Sequence, residues 1–558
     1  MQSYRLQYHK IVKTILLFTL LCNDSLLAYE ADPAPSATED PKAEKPTFYI
    51  KEIVIEGATS LSKKNKQRLL APYINSYLDV DKINKLVQDI KIFYIRKGYP
   101  TTQVKVVIGQ SLQSGTLRLV VVNGFIEKIR LNKDTPRDKG RILTAFPLLS
   151  GKPLYLKHLE QGIDQLNALA SSSATLKILP GKLEGGSIIQ IENIVTNPLR
   201  VDIGGDNLGE AETGRWRGKV NLALDNLLSI NDNITLHYAT NKAKKIRDKK
   251  LSNKSFLVSF TFPLGYYIFS TTYNLASSIT PAKSHSYTSL YFNKNNSNSF
   301  DVKRVIYKTR THKISLGVGL ALKRTAAFLE DTPIGNQTRK LSVGKGNLNH
   351  TGLLFRGQYV LDISYFQGLS WWGAKKDAQP TQAGQAKAQF KKLNLHLLWM
   401  RPFLLLKQYF SYQLNLSAQY SKDALFGSEQ FSIAGLEQVR GVQQQHVGNQ
   451  GLCFKQEIAL HNLLSFSPML IPFQPLVGLD IGYLPQVSSM DPKFGNKPGT
   501  LVSWACGCKY GGSWLSFDFT YAKPIYRSEH LKKGNAFQVY FNLSFRLHHM
   551  LRSVLSKK

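Results

Sequence analysis

The feature that most constrains the fold of this chain is an alternation of apolar and polar residues that recurs from residue 200 onwards. Segments of about ten residues carry apolar side chains at every second position and mostly polar ones between them. Because successive side chains of a β-strand point to opposite faces, each segment predicts a strand that separates an apolar environment from a polar one. The apolar positions of the four clearest segments are Phe256, Val258, Phe260 and Phe262; Phe410, Tyr412, Leu414 and Leu416; Leu515, Phe517, Phe519 and Tyr521; and Phe537, Val539, Phe541, Leu543 and Phe545.

Two β architectures produce this alternation, a soluble sandwich and a transmembrane barrel. A sandwich turns its polar face outward and uses strands of about five or six residues. The runs in this chain are longer, aromatic residues recur near their ends, and no helical period persists past residue 200. We therefore predict an all-β transmembrane barrel of sixteen antiparallel strands over 200–547, preceded by two small α+β modules. We place the ambiguous segment 300–307 in a turn.

The first residues are typical of a targeting segment. Basic residues precede a short apolar run at 15–21, and a small residue, Ala28, follows it. The apolar run is too short to span a bilayer as a helix. We therefore expect a signal peptide over 1–28, export from the cytoplasm, and a Pro- and Ala-rich linker over 29–47. A lipid-modified Cys22 is the alternative, although a bulkier residue precedes it than is usual at such sites.

Residues 48–195 differ from the rest, because helical periodicity appears between short apolar runs. Residues 48–124 predict a strand, two helices and two strands, and in the second helix Asp81 can cap the start and Gly98 the end. The same order of elements recurs over 125–195. Modules of this kind usually bind a peptide at a sheet edge or in a helix groove, with packing inside a larger protein as the alternative.

An unusually long connection occupies residues 421–450, which are rich in Gly, Gln and Ser and show no periodicity. A connection of about thirty residues is either functional or disordered. Within it, Gly435 and Gly441 flank Val439 and Arg440. Two glycines permit a tight turn, and a guanidinium can bind a carboxylate through two hydrogen bonds, which favours a functional loop. A solvated surface arginine is the alternative for a lone Arg-Gly pair.

The apolar run at 476–484 offers a partner for this arginine. Its apolar face carries Val477, Leu479, Ile481 and Tyr483, and its other face carries Gly478, Asp480 and Gly482. A carboxylate between two glycines on an aliphatic strand needs a partner, and the glycines leave space for one. We therefore predict that Arg440 pairs with Asp480.

The net charge of +34 first suggests a nucleic-acid partner. The basic residues are dispersed, however, and their densest run, at 242–254, has no recognition helix, zinc-ligand spacing or stacking-aromatic motif beside it. We therefore predict no nucleic-acid partner. Four cysteines are too few for a disulfide framework. Because a phosphate-binding loop and a metal-ligand spacing are also missing from the sequence, we expect no catalytic residue, no metal, no cofactor and no enzymatic activity.

Several short motifs, taken together and in order, resemble those of the two-partner secretion transporters (TpsB, haemolysin-activator type), which are relatives of the barrel assembly proteins. The motifs are KGYPTTQV (97–104), VNGFIEKI (122–129), DNLGEAETGRWRG (206–218), FSIAGLEQVRG (431–441) and GLDIG (478–482). In this family the two N-terminal modules are POTRA domains. Each motif alone is weak, but the five in this order are specific.

The resemblance implies a transporter in the bacterial outer membrane, with its POTRA-like modules in the periplasm. The modules would receive an unfolded exoprotein, and the barrel would conduct it to the cell surface without nucleotide hydrolysis. The implied partners are a large secreted (TpsA-like) haemolysin, adhesin or contact-dependent toxin, together with outer-membrane lipid and lipopolysaccharide. The loop 421–450 would fold into the lumen, where we expect the pair of Arg440 and Asp480 to be only partly desolvated and to contribute modestly to stability.

Two other functions remain open from the residues alone. The first is a factor that assembles or inserts outer-membrane proteins, although such factors carry more modules than two. The second is a passive porin or adhesin, in which the periplasmic modules have no purpose. The chain also departs from the family pattern, because prolines in the linker 29–47 disfavour the plug helix that relatives often have, and a basic tail at 548–558 follows the last strand.

Overall fold

Our computed structural model describes residues 46–132, 135–210, 212–241, 245–246, 249–283, 288–335, 337–377, 384–442, 446–461, 472–488, 497–531 and 536–547. The predicted signal peptide over 1–28, linker residues 29–45 and the tail over 548–558 lie outside the described residues. No helix in the described ranges combines the length and the apolar character needed to cross a membrane.

The described chain divides into two compact units, and the boundary between them runs through the first module. The smaller unit includes Ser62–Asp89 and Val107–Leu119, and the larger one continues from Val120 through the barrel. The elements of the first module are β1 (Phe48–Ile50), β2 (Glu52–Glu56), α1 (Lys63–Leu70), β3 (Ser76–Leu78), α2 (Val80–Arg96), β4 (Gln103–Val106) and β5 (Thr116–Val122). Strand β1 pairs with β3, and β2, β5 and β4 form a sheet in that order.

Helix α2 begins directly after Asp79, whose Oδ1 accepts a hydrogen bond from the backbone N–H of Lys82 at 2.7 Å. The sequence pointed to Asp81 as the cap. Asp81 instead lies in the first turn, where a negative charge also suits the helix dipole. Gly98 follows the helix with a φ of +94°, a conformation that glycine adopts without strain.

The second module repeats this architecture with β6 (Phe125–Leu131), α3 (Pro136–Ala145), α4 (Leu156–Asn167), β7 (Ser172–Pro180) and β8 (Gly186–Val195). Its sheet has the order β6-β8-β7, in which β6 runs parallel to β8 and β7 antiparallel. Helix α3 starts with a capping box between Thr135 and Asp138. The core side chains with no solvent exposure are Ile126, Leu131, Leu154, Leu159, Leu166, Ile189 and Ile191.

Sixteen long strands of the described residues close into one antiparallel barrel in chain order, as predicted. They are β9 (Leu199–Asp206), β10 (Arg217–Asp225), β11 (Asn233–Asn241), β12 (Ser252–Leu264), β13 (Tyr267–Lys283), β14 (Thr288–Lys308), β15 (Lys313–Leu329), β16 (Arg339–Leu354), β17 (Gly357–Leu369), β18 (Lys391–Leu405), β19 (Gln408–Tyr420), β20 (Gly451–His461), β21 (Phe473–Leu484), β22 (Gly499–Gly511), β23 (Leu515–Arg527) and β24 (Gln538–Arg546). A two-residue strand, Thr332–Pro333, adds to β15. Strand β24 closes the barrel on β9, from the pair Asn542–Asp206 to the pair Arg546–Asp202.

The placement of segment 300–307 in a turn is wrong, because this segment belongs to β14, a strand of 21 residues. Its charged residues Asp301 and Lys303 made it resemble a turn in the sequence. In the barrel they share the inward face, while Phe300 and Val302 lie on the opposite face. Charged side chains on an inward face remain in polar surroundings, so they do not end a barrel strand as they would end a buried one.

The second module packs against the turns at one end of the barrel. Thr144 of α3 accepts a hydrogen bond from the Asn231 side chain at 2.9 Å, and its carbonyl oxygen accepts one from Gly265 N at 2.7 Å. Lys308, at the end of β14, forms an ion pair with Asp164 of α4. These turns lie at the module end of the barrel, so the alternation of strand directions places the loop 421–450 at the other end.

Candidate functional site in the barrel lumen

The loop 421–450 folds back onto the inner face of the barrel wall. Its short strands Phe431–Ser432 and Val447–Gly448 pair with each other and shape it into a hairpin. Ile433 and Val439 of the loop have no solvent exposure and pack into one apolar cluster with wall residues that include Leu484 and Leu501. Residues 443–445 lie outside the part of the loop that the structure describes.

Arg440 of this loop and Asp480 of β21 are joined by three hydrogen bonds. Arg440 Nε donates to Asp480 Oδ2 at 2.7 Å, Nη2 donates to Oδ1 at 2.8 Å, and the backbone N–H donates to Oδ2 at 3.0 Å. The two guanidinium bonds have the parallel, bidentate geometry that makes arginine–carboxylate pairs strong and directional. The alternative of a solvated surface arginine does not describe this side chain.

Burial of the pair is deeper than the sequence led us to expect. Arg440 is 1 % exposed and Asp480 is 0 % exposed, so both charges are desolvated almost completely rather than in part. The reason is that the apolar cluster around Ile433 and Val439 seals the loop onto the wall beside the pair. A charge buried in this way depends on its partner, because an unpaired buried charge costs several kcal/mol, about 3–5 in measured cases.

The sequence did not reveal that Arg440 has a second acidic partner. Arg440 Nη1 donates to Glu457 Oε2 of the neighbouring strand β20 at 3.0 Å, and Glu457 also pairs with Lys509 of β22. Glu457 stands opposite Gly478 in the register of β20 and β21, which places it beside Asp480 on the inward face. The alternation of β20 already put Glu457 on the polar face, but only the register between strands shows which residues meet.

Both wall glycines of the site lie where the loop approaches most closely. A Cβ atom on Gly478 would lie 2.2 Å from Arg440 Nη2, and one on Gly482 would lie 2.8 Å from a methyl group of Val439. Both distances are shorter than any normal contact. The glycines on either side of Asp480 therefore provide the space that the loop occupies.

The loop residues around Arg440 hold it in a tight turn. Gly435 and Gly441 have φ values of +124° and +91°, which favour glycine. The Gly435 N–H donates to the carbonyl oxygen of Val439 at 3.1 Å, which closes the turn. On the far side, the Gly441 N–H donates to the hydroxyl of Tyr540 on β24 at 3.0 Å. The loop thus contacts β20, β21 and the last strand of the barrel together.

The chemistry of this site is that of paired charges. Arg440 and Lys509 form ion pairs with Asp480 and Glu457, and Lys455, which stands opposite Asp480, donates a hydrogen bond to the carbonyl oxygen of Leu436 in the loop at 2.6 Å. The described residues contain no group of three or more His, Cys, Asp or Glu side chains placed to hold a metal ion. What the arrangement can do is fix the position of the loop through bonds that form and break without covalent change.

Comparison with known families identifies the kind of protein that carries this site. A family model described as "Haemolysin secretion/activation protein ShlB/FhaC/HecB" matches residues 185–510, and models of a ShlB-type POTRA domain and a POTRA domain match residues 48–124 and 125–180. The chain belongs to the ShlB/FhaC/HecB family. This ShlB/FhaC/HecB protein is an outer-membrane transporter of the two-partner secretion type, and its POTRA modules lie in the periplasm.

Named relatives agree with this assignment to the ShlB/FhaC/HecB family. The chain is 29 % identical over 485 residues to the "Outer membrane transporter CdiB" of Dickeya dadantii, which covers 86 % of this chain and 83 % of that one. It is 28 % identical over 443 residues to the "Hemolysin transporter protein ShlB" of Serratia marcescens, covering 77 % and 74 %. The solved structure of CdiB from Escherichia coli superimposes with a TM-score of 0.79 at 25 % identity and covers 98 % of both chains. The predicted family, barrel fold and outer-membrane location are thereby confirmed.

Proposed function

We propose that this transporter receives an unfolded exoprotein at its periplasmic modules and conducts it through the barrel lumen to the cell surface without nucleotide hydrolysis. A haemolysin, an adhesin and a contact-dependent toxin are the classes of cargo that fit. The names of the relatives support a secreted partner, since one is a hemolysin transporter. Outer-membrane lipid and lipopolysaccharide would surround the barrel, and no cofactor or nucleic acid takes part.

Strand β7 offers the most suitable place for the first contact with cargo. It pairs with β8 on one side, and no other described strand pairs with its second edge. The side chains of Ser173, Thr175 and Lys177 are exposed along it. An extended peptide can add to such an edge through main-chain hydrogen bonds, which suits an unfolded substrate of no fixed sequence.

The inward face of the barrel suits a chain in transit. An unfolded polypeptide carries backbone N–H and C=O groups that need partners, and an apolar pore would leave them unsatisfied. The inward faces here carry Ser, Thr, Asn, Gln and charged residues, so water in the lumen would keep the passing backbone solvated. Folding of the exoprotein outside the cell would then give the passage its direction.

We further propose that the loop 421–450 closes the lumen at rest and that Arg440 is its anchor. The observation that carries this proposal is the near-complete burial of Arg440 against two wall carboxylates, in a loop composed largely of polar residues. The apolar contacts of Ile433 and Val439 also hold the loop to the wall, but they do not account for the burial of a charged side chain there. The resting position of the loop therefore depends on the ion pairs of Arg440 as well, and cargo could pass only when these contacts break.

The test is the secretion of an exoprotein by an Arg440→Ala variant. A large, repeat-rich protein encoded in the neighbouring reading frame is the expected cargo. We expect a folded barrel, judged by heat-modifiable migration on gels, with secretion reduced at least tenfold, because a loop without its anchor has no fixed position in the lumen and obstructs the chain in transit. Lys422→Ala is the matched control, because Lys422 is an exposed cation of the same loop. Normal secretion by Arg440→Ala, or an equal loss in the control, would contradict the proposal.

A further inference from the structure

The loop contains a second buried charge, which is of opposite sign to Arg440. Glu429 lies in a short 3₁₀ turn, Gly427–Glu429, and is only 2 % exposed. A carboxylate in that position would lose several kcal/mol of hydration if it had no partners. Its burial on a loop therefore calls for an explanation separate from the contacts of Arg440.

Two wall lysines supply the partners of Glu429. Lys323 Nζ of β15 lies 2.5 Å from Glu429 Oε1, and Lys392 Nζ of β18 lies 2.9 Å from Oε2. The backbone carbonyl oxygen of Glu429 accepts two further hydrogen bonds, from Lys392 Nζ and from Gln419 Nε2, both at 3.0 Å. The backbone N–H of Glu429 donates to the carbonyl oxygen of Phe426 within the loop at 2.7 Å, but the described hydrogen-bond partners of the carboxylate are on the barrel wall, so the carboxylate holds the loop to the wall.

Lys392 is positioned for this role by aromatic rings. Its Nζ lies 5.3 Å from the centre of the Phe366 ring and 5.8 Å from that of Phe390, and the residue is 8 % exposed. Such cation–π contacts favour a lysine that has lost most of its water. They also restrict its rotamers, so less conformational entropy is lost when Glu429 binds.

The neighbouring loop residues add an apolar seal. Leu425 packs with Leu341, Val343 and Phe390 in a cluster of buried side chains on this part of the wall. Phe426 lies under the guanidinium of Arg339, at 4.5 Å from ring centre to Cζ. We call residues 425–429 the first limb of the loop and residues 433–441, which carry Arg440, the second limb.

The two limbs use different strands and opposite charges. The first limb presents one carboxylate to two lysines on β15 and β18, whereas the second limb presents one guanidinium to two carboxylates on β20 and β21. The charged partners of the two anchors have no residue in common. Interactions that share no partners usually contribute independently to stability.

We infer that Glu429 is a second anchor of the loop, which holds the first limb against Lys323 and Lys392 independently of Arg440 and must be released before the loop can leave the lumen. This inference rests on the proposed function only in assuming that the loop moves when cargo passes. If Glu429 only filled space, its carboxylate would not need two cations beside it. A residue that fixes the first limb at one position on the wall does need charged partners there.

Hydrogen–deuterium exchange of the purified full chain in lipid nanodiscs tests the inference, because it follows each limb separately. In Glu429→Gln we expect the amides of the first limb to exchange about 100-fold faster, as for the loss of a buried ion pair, and those of the second limb to stay unchanged. Arg440→Ala should show the converse. Glu437→Gln is the matched control, since Glu437 is an exposed carboxylate of the same loop.

A second substitution at the same position separates an anchor from simple packing. Glu429→Asp keeps the negative charge on a shorter side chain, whereas Glu429→Gln keeps the size without the charge, so the first limb should exchange more slowly in Glu429→Asp than in Glu429→Gln. Lys392→Met leaves Glu429 with Lys323 alone and should raise the exchange rate less than Glu429→Gln does. Should Glu429→Gln fail to give a folded barrel, this milder variant decides the question.

Wild-type exchange of the first limb in both Glu429→Gln and Lys392→Met would overturn the inference. Equal acceleration of both limbs in either variant would overturn it as well, because the anchors would then not be independent. Secretion is measured separately in a Glu429→Cys, Lys392→Cys variant whose first limb is held to the wall by a short, cleavable thiol cross-linker. Normal secretion in the cross-linked state would contradict the need for release, whereas secretion that returns only after cleavage supports it.

Discussion

Gly478 and Arg440 are in direct contact, because a Cβ atom added to this glycine would lie 2.2 Å from Arg440 Nη2. The same Cβ atom would lie 2.6 Å from the backbone carbonyl oxygen of Gln456, so the wall would have to shift slightly as well. The guanidinium is at the end of a flexible side chain and would move furthest. The absence of a side chain on one wall residue thus decides whether the loop can dock.

Gly478→Ala should accordingly release the second limb without unfolding the barrel. Overpacking of this kind costs about 1–3 kcal/mol, which is large against a local contact and small against a closed barrel. We expect faster amide exchange over residues 433–441 and higher ion conductance in planar bilayers. Gly507→Ala is the control, since a Cβ atom there would also crowd the wall backbone, at 2.1 Å from the carbonyl oxygen of Phe519, and its nearest neighbours are all wall atoms. If Gly478→Ala conducts ions as the wild type does, the loop docks in spite of the added methyl group, and the close approach of Arg440 to Gly478 is not needed for docking.

Arg440→Lys tests whether geometry or charge alone holds the second limb. A lysine keeps the positive charge, but its single ammonium group cannot reproduce the two parallel bonds to Asp480 and the bond to Glu457. We expect secretion by this variant to lie between that of the wild type and that of Arg440→Ala. Wild-type secretion would mean that charge is sufficient and that the bidentate arrangement has no role.

Gly140 allows the second module to approach the barrel. A Cβ atom on this residue of α3 would lie 2.5 Å from the carbonyl oxygen of Ser229, in the turn between β10 and β11. Gly140→Val should therefore loosen the module from the barrel while both remain folded. Limited proteolysis should show faster cleavage near residues 195–198. Lys139→Ala, an exposed neighbour on the same helix, should behave like the wild type. Unchanged cleavage in Gly140→Val would contradict this account of the contact.

The contact between the second module and the barrel should also weaken in mild acid. His158 Nδ1 lies 3.0 Å from the Tyr266 hydroxyl, and burial lowers the pKa of His158 below its usual value of 6.5. The docked state therefore favours the neutral imidazole, and a released His158 binds a proton more readily. Docking should be strongest above about pH 6.5 and weaken as the pH falls below that value. Cleavage near residues 195–198 should rise accordingly in the wild type and lose its pH dependence in His158→Gln.

The sequence could predict the structure where a residue pattern is compatible with only one kind of structure. Alternation fixes which face of a strand is apolar, so it predicted the barrel and the inward position of Asp480 between two glycines. It failed at segment 300–307, because charges there mark a turn in soluble proteins but an inward face in this barrel. Glu457 and Glu429 were missed for a related reason: their partners lie on other strands, at positions set by register and by the path of a loop that has no period.

A cysteine pair across the loop and the wall tests the central claim most directly. Cys453 of the wall stands opposite Gly482 in the register of β20 and β21 and packs in the same apolar cluster as Val439, so Val439→Cys should form a disulfide with the native Cys453 without adding a side chain to Gly482. Under oxidising conditions we predict a folded barrel that secretes no exoprotein, and reduction should restore secretion. A disulfide that forms fully while secretion continues would show that cargo passes without movement of the loop.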